Sequence, residues 1–164
     1  MNTPELDWRI ARLRAAARVP TRAHPDDAGW DLYYCAPEGR EHEAPALRTA
    51  GDIHFFELPT GLAMAFSPGW MFKIEARSGL AVKHGCSVLA GVVDAGYRGE
   101  LVVLLRVPMT RDAERAVPAC TIKHGDRIAQ GLFLPVPRVT PEEVAADALP
   151  PSHRGEGGWG SSGR

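Results

Sequence analysis

The stretch Gly91-Val92-Val93-Asp94-Ala95-Gly96-Tyr97-Arg98-Gly99 decides how the rest of the chain is read. It places three glycines, one acid and one tyrosine between two apolar runs, Cys86-Ser87-Val88-Leu89 before it and Leu101-Val102-Val103-Leu104-Leu105 after it. The later run is a strand by composition and the earlier one an extended approach. Together they predict a hairpin in which Gly96 supplies the φ > 0 residue of the turn. A carboxylate at a strand end beside a tyrosine is held in place by the ladder. A lone D-x-G is also ordinary turn chemistry, so the weight of the reading rests on what surrounds it.

Outward from this stretch the same rhythm continues. Residues 53–58, 60–66 and 70–76 are short apolar or alternating runs, separated by Pro59 and by Ser67-Pro68-Gly69. Asp26-Asp27-Ala28-Gly29 is a turn signal, and Trp30-Asp31-Leu32-Tyr33-Tyr34 alternates as a half-buried strand does. Residues 117–137 add two strands around the turn Lys123-His124-Gly125-Asp126. This rhythm predicts an all-β barrel or sandwich and leaves no room for βαβ crossovers. Residues 36–50, rich in Pro, Gly and charge, read as a surface insertion, and residues 140–149 as one or two helical turns. The expected division is a β domain over residues 1–150 and a tail over 151–164.

The N-terminal segment carries two opposed signals. Leu6, Ile10, Leu13 and Ala17 recur at helical spacing, whereas the family resemblance described below aligns Trp8-Arg9-Ile10-Ala11-Arg12-Leu13 with a first strand. The strand is the expectation adopted. Arg9, Arg12, Arg14 and Arg18 read as a solvated face.

Composition narrows the function classes. A chain of 164 residues is of single-domain length, and its net charge of −1 gives no general field for nucleic acid or an anionic membrane. An anionic substrate would have to be met by a local cluster. Cys35, Cys86 and Cys120 are odd in number and lack metal-ligand spacing, which predicts buried free thiols in a reducing compartment. No apolar run reaches membrane-spanning length, and the first residues lack the apolar core of a signal peptide. The expectation is a cytoplasmic protein with neither a membrane nor a nucleic acid as partner.

Five motifs in order carry a family resemblance: Ala28-Gly29-Trp30-Asp31-Leu32, Arg77-Ser78-Gly79, the stretch 91–99, Arg127-Ile128-Ala129-Gln130, and residues 154–163. Together they resemble the signature motifs of the trimeric deoxyuridine triphosphate pyrophosphatases, the dUTPases. The resemblance spans nearly the whole chain. It implies an all-β, jelly-roll-like barrel or sandwich with a flexible glycine-rich C-terminal tail, a homotrimer with shared active sites, and hydrolysis of dUTP to dUMP and pyrophosphate with Mg²⁺.

The residues suit these implied roles. Arg77-Ser78-Gly79 follows a strand, so a guanidinium, a hydroxyl and an unencumbered amide arrive together, a set that fits phosphate oxygens. As a bare tripeptide it is equally a solvated turn. Asp94, ionised near neutral pH, is the implied general base for a water attacking the α-phosphorus. Gln130 resembles the glutamine that places phosphates and water, and needs partners wherever it is half buried. Asp31 resembles the acid that holds a metal-bound water in the second shell of Mg²⁺, and reads almost as well as a strand-end acid bonding local amides. Extended backbone at Gly91, Val92 and Val93 can match the acceptor-donor-acceptor edge of uracil, whereas cytosine leaves groups unpaired at about 1–3 kcal/mol each. Tyr97 is implied to stand under the sugar and to close the space of a ribose 2′-hydroxyl.

The tail from 154 to 164 holds five glycines, two serines and no aliphatic side chain. It buries too little to offset ordering entropy and is expected to be mobile without ligand. By resemblance it closes over the nucleotide of another subunit, with Trp159 stacking on the base and Arg154, Gly160, Ser161 and Ser162 gripping phosphates. Leu89, Ala76 and Gly131 depart from the family pattern. Two alternatives accompany this reading: a deoxycytidine triphosphate deaminase of the same fold, and a nucleotide-binding regulator without catalysis.

Overall fold

The computed structural model describes residues 5–112, 115–153 and 155–157. Two four-stranded sheets form the body. In the first, strands run in the order β2 (Trp30–Tyr33), β12 (Arg127–Pro135), β6 (Trp70–Glu75) and β8 (Val92–Asp94). In the second the order is β3 (Leu47–Ala50), β4 (Ile53–Pro59), β9 (Val102–Arg106) and β7 (Ser87–Leu89). Two further pairs, β1 (Trp8–Arg12) with β5 (Leu62–Phe66) and β10 (Met109–Asp112) with β11 (Arg115–Pro118), complete the antiparallel set. The expected all-β sandwich is what the chain forms.

The core lies between the sheets because each strand turns one set of alternating side chains inward. Leu32, Phe72, Ile74, Val93, Ile128 and Ala129 come from the first sheet; Phe56, Leu58, Val103 and Leu105 come from the second. Trp8 closes one side, edge-on to both Trp30 and Phe133 with ring centroids 5.0 Å apart in each pair. That contact explains why residues 8–12 are a strand despite their helical spacing. Paired with β5, Trp8 and Ile10 turn inward while Arg9 and Ala11 turn out, and tertiary packing overrides a short local period.

Several local expectations are corrected. The two apolar runs that flank the stretch 91–99 do pair antiparallel, Leu89 opposite Leu104, but Val92–Asp94 does not continue the first run and is not paired with β9. Val92–Asp94 pairs with Lys73, Phe72 and Met71 of β6, whereas β9 pairs with β4 and β7 in the other sheet. The chain crosses from one sheet to the other here, and sequence adjacency of two strands does not reveal such a crossing. Nor does Gly96 have positive φ; the left-handed residue is Ala90, at φ 50° the one such non-glycine among the described residues. Arg77-Ser78-Gly79 is not an open loop either. Arg77 is the N-cap of α1 (Ser78–His84), which ends on Gly85 at φ 65°, with Lys83 and His84 in its last turn. The insertion at 36–50 ends in a strand, β3, folded onto β4. Residues 140–149 contribute only the 3₁₀ turn Ala146–Ala148.

The arginine face is also more varied than expected. Arg9 is exposed, but Arg14 is drawn inward to Glu100, and Arg18 lies over the Tyr33 ring, 4.0 Å from its centroid. Cys35, Cys86 and Cys120 are buried free thiols, as their number and spacing predict. Cys86 and Cys120 lie 3.5 Å apart, sulfur to sulfur. Burial pushes the Cys86 thiol up to about 12, with the Cys120 contact adding to it, and burial raises Cys120 as well. No helix among the described residues is long and apolar enough to cross a membrane.

Candidate active site

One cleft, of about 450 Å³, is lined by Asp27, Gly29, Asp31, Arg77, Ser78, Arg127 and Gln130, among others. Its frame is the central strand β12. Gln130 faces Asp31 of β2 on one side and Glu75 of β6 on the other, so acid and amide are fixed by two ladders at once. Asp31 is 15% exposed and accepts two guanidinium hydrogen bonds, from Arg77 Nε at 3.0 Å and from Arg127 Nη1 at 3.1 Å. One carboxylate between two arginines leaves the trio with a net positive charge, held in a half-buried setting. This is the local cluster an anion requires in a chain without a basic surface.

Arg77 spends its side chain on Asp31 and does not cap α1. The first-turn amides of Ser78 and Gly79 therefore have no intrahelical acceptor, as at any helix start. Nothing lies within 4 Å of where a β-carbon on Gly79 would stand, so this chain leaves that approach open. Gln130 has the partner its burial requires: its Nε2 donates to the Ala76 carbonyl at 3.2 Å. Its Oε1 stands 2.5 Å from where a β-carbon on Gly29 would be, so a larger residue at 29 would require the Gln130 side chain to shift.

A second cleft, of about 200 Å³, is lined by residues including Ile74, Ala90, Val92, Asp94, Tyr97 and Glu100. At Gly91, between the lining residues Ala90 and Val92, a β-carbon would come 2.3 Å from the Ile74 carbonyl oxygen; only glycine lets β6 come this close. The Gly91 carbonyl accepts from the Ile74 amide at 2.7 Å. Val93 points into the core, leaving Val92 and Asp94 exposed on the other face. Past Asp94 the chain turns tightly. The Tyr97 amide donates to the Asp94 carbonyl at 3.0 Å, and Arg98 Nη1 donates to the carbonyls of Ala95 and Tyr97, both at 2.7 Å. The Tyr97 hydroxyl donates to the Glu100 carbonyl at 2.9 Å.

The predicted residues thus gather into two groups. Asp31, Arg77, Ser78 and Gln130 line the first cleft; Val92, Val93, Asp94 and Tyr97 line the second; and the two clefts share no lining residue. Gly79 and Gly91 line neither cleft, though each adjoins lining residues in the chain, Ser78 for the first and Ala90 and Val92 for the second. Arg154, Trp159, Gly160, Ser161 and Ser162 lie outside the described residues.

Sequence reasoning did not single out Arg127, Arg98 or Glu100. In a regular strand, Arg127 and Gln130 would point to opposite faces. A register shift between Arg127 and Ala129 puts both into one cleft, and strand alternation cannot announce that shift.

Comparison with known proteins identifies the family and the fold. A family model described as dUTPase matches residues 15–163. The deoxyuridine 5′-triphosphate nucleotidohydrolase of Gloeobacter violaceus is 41% identical over 160 residues, covering 94% of this chain and 95% of that protein. The enzyme of the same name from Leifsonia xyli subsp. xyli is 43% identical over 150 residues, covering 90% and 87%. Among solved structures, the Staphylococcus bacteriophage 80alpha dUTPase with dUPNHPP shares the fold with a TM-score of 0.69 at 24% identity, covering 96% of this chain and 99% of that one. A mutant dUTPase from phage phi11 of S. aureus, described as coordinating a structural Mg(II) ion, has a TM-score of 0.60 at 22% identity, covering 87% and 98%.

Proposed function

The chain belongs to the dUTPase family and is by that membership a dUTP diphosphatase; on that premise we propose that it hydrolyses dUTP to dUMP and pyrophosphate through the residues of its two clefts. Asp94 takes a proton from a water molecule as the water oxygen bonds to the α-phosphorus. The bond from that phosphorus to the bridging oxygen breaks, and pyrophosphate leaves with the bond's electron pair. Arg77 and Arg127 hold the phosphate oxygens, and Ser78 and Gly79 add a hydroxyl and an amide. Gln130 positions the phosphates and the water. Backbone groups of Gly91, Val92 and Val93 read the base edge, and Tyr97 closes the sugar end.

The observation that carries this reading is the Asp31 carboxylate shared by Arg77 and Arg127. The trio carries one net positive charge in a cleft that Asp27 also lines, in a chain of nearly zero net charge. The base-bearing cleft stands apart from that seat, which supports a homotrimer in which one subunit's first cleft completes a neighbour's second. Helix α1 fits the same picture, with no buried residue and with Val82 85% exposed. Arg154, Trp159, Gly160, Ser161 and Ser162 then close over the nucleotide from the tail. In the cell, taken here as its cytoplasm, this activity keeps uracil out of DNA and supplies dUMP for thymidylate synthesis.

The donor set fits Mg²⁺ carried by the nucleotide better than an ion held by the protein. No three His, Cys, Asp or Glu side chains among the described residues are grouped to hold a metal. Each Asp31 oxygen accepts one arginine bond and keeps a lone-pair site for a metal-bound water. When bound, the ion neutralises charge that builds up on the leaving pyrophosphate.

Pyrophosphate release from dUTP, UTP, dTTP and dCTP with Mg²⁺, run beside a nucleotide analysis for deamination, tests the proposal. Release from dUTP alone is expected. Deamination of dCTP, or tight dUTP binding with no turnover, would overturn it.

A further inference from the structure

Glu100 borders the cleft of Asp94 and Tyr97, yet its side chain turns away from it into a junction with two other segments. Glu100 Oε1 accepts the Gly61 amide at 2.8 Å and pairs with Arg14 Nη2, and Oε2 accepts from Arg14 Nη1 at 3.3 Å. The two side chains are 26% and 23% exposed, so the pair is far less screened than a surface salt bridge. Arg14 is itself tied to the Cys35 carbonyl at 3.4 Å. Gly61 sits at φ 70°, wedged against Ala17 and Cys35, where a β-carbon would come within 2.8 Å and 3.0 Å of their side chains. Both partners of the Glu100 carboxylate are therefore fixed points.

The next residue tightens the hold. Leu101 is buried, its amide donates to Leu62 at 2.8 Å, and its carbonyl accepts from the amide and hydroxyl of Thr60 at 3.0 and 2.7 Å. With its side chain and the following residue both anchored, the Glu100 carbonyl has one orientation. That carbonyl receives the Tyr97 hydroxyl at 2.9 Å. Gly99 supplies the space, since a β-carbon there would stand 2.5 Å from the same hydroxyl.

We infer that Glu100 is a positioning residue for Tyr97, and that the Glu100–Arg14 pair sets discrimination against ribonucleotides by holding the Tyr97 ring still. The inference rests on the reading of Tyr97 as the wall at the sugar end. A tyrosine on an unanchored turn would swing aside for a 2′-hydroxyl at little cost. One whose phenol is fixed from behind would not.

The test is kcat/KM for dUTP and for UTP in the wild type, Glu100→Ala, Tyr97→Phe and the double variant, with Tm measured on each. The wild type is expected to prefer dUTP strongly. Glu100→Ala should narrow that preference at least tenfold while kcat on dUTP stays within about threefold. Tyr97→Phe should narrow it similarly, and the double variant no further, because both changes cut one chain of contacts. Should the alanine variant fail to fold, Glu100→Gln, which keeps an acceptor for Gly61 and drops the ion pair, carries the test beside Tyr97→Phe. A lowered Tm with the dUTP:UTP ratio unchanged would make Glu100 a purely structural residue and overturn the inference. A wild type with no preference for dUTP would instead overturn the reading of Tyr97, and the specificity claim with it.

Discussion

The Phe72 ring occupies the space that a β-carbon on Gly131 would need, its Cζ lying 1.9 Å from that position. Phe72 is fully buried on β6, and Gly131 is its near neighbour on β12. Position 131 is held to glycine because the aromatic of the neighbouring strand takes the volume a side chain would need. Gly131→Ala is expected to cost about 1–3 kcal/mol by overpacking, read as a Tm drop of roughly 3–10 °C. Gly131→Ala combined with Phe72→Leu should cost less than the sum of the two single changes, since the smaller side chain vacates the contested space. Strict additivity would show that the two positions are not competing.

Asp94→Asn keeps shape and removes the proton acceptor. Turnover should fall by about 10²–10⁴-fold, with dUTP affinity by calorimetry changed less than about threefold. Turnover near the wild-type rate would remove Asp94 from the role of base.

Arg127→Met takes one cation from the Asp31 pair. Stability should move by less than about 1 kcal/mol, because Arg127 is half exposed. KM for dUTP should rise about tenfold if a phosphate contact worth ~1.4 kcal/mol is lost. An unchanged KM would mean that Arg127 serves only to steady Asp31.

Ending the chain after Pro151 leaves every strand in place, so folding and Tm should be retained. Catalysis should drop at least a hundredfold if the tail supplies phosphate contacts and base stacking. Full activity would make the tail a terminus without a part in the reaction.

The buried thiols give a prediction for alkaline pH. Cys86 holds its proton more tightly folded, at about 12, than at the ordinary 9.0 of an unfolded thiol. Its contribution to stability is therefore complete below pH 9 and declines as pH rises toward 12. Thermal melts of wild type and Cys86→Ala from pH 7.5 to 11 should show a steeper alkaline loss in the wild type. At pH 7.5 neither Cys86 nor Cys120 should react with iodoacetamide in the folded protein. Rapid alkylation would show that these sites open readily.

Much of this molecule was legible in its residues, and the gaps have physical causes. Strand rhythm and turn chemistry are local, so an all-β barrel or sandwich and the Lys123–Asp126 turn could be read directly, while the roles of the candidate residues came with the family resemblance. The partner of a strand is not local. Nothing in Val92-Val93-Asp94 says that it pairs with β6 across a change of sheet, or that the left-handed residue is Ala90 rather than Gly96. Helix α1 was hidden because Ser78-Gly79 is a poor helix start by propensity, although Gly85 and the basic last turn were visible signals. The shared cleft of Arg127 and Gln130 was hidden by a register shift, and the Arg14–Glu100 pair by a sequence separation of 86.

The positions of Gln130 and Asp94 within the first sheet have a consequence for hydrogen exchange. Gln130 lies on β12, bonded on both sides, so its backbone should exchange only when the whole domain opens. Asp94 ends a three-residue strand at the sheet edge, bonded on one side alone, where brief local opening is cheap. Gln130 is thus set on a strand expected to exchange slowly, and the proton acceptor on one expected to exchange faster. An arriving nucleotide would be expected to slow exchange at residues 92–97 while leaving 128–131 as protected as before.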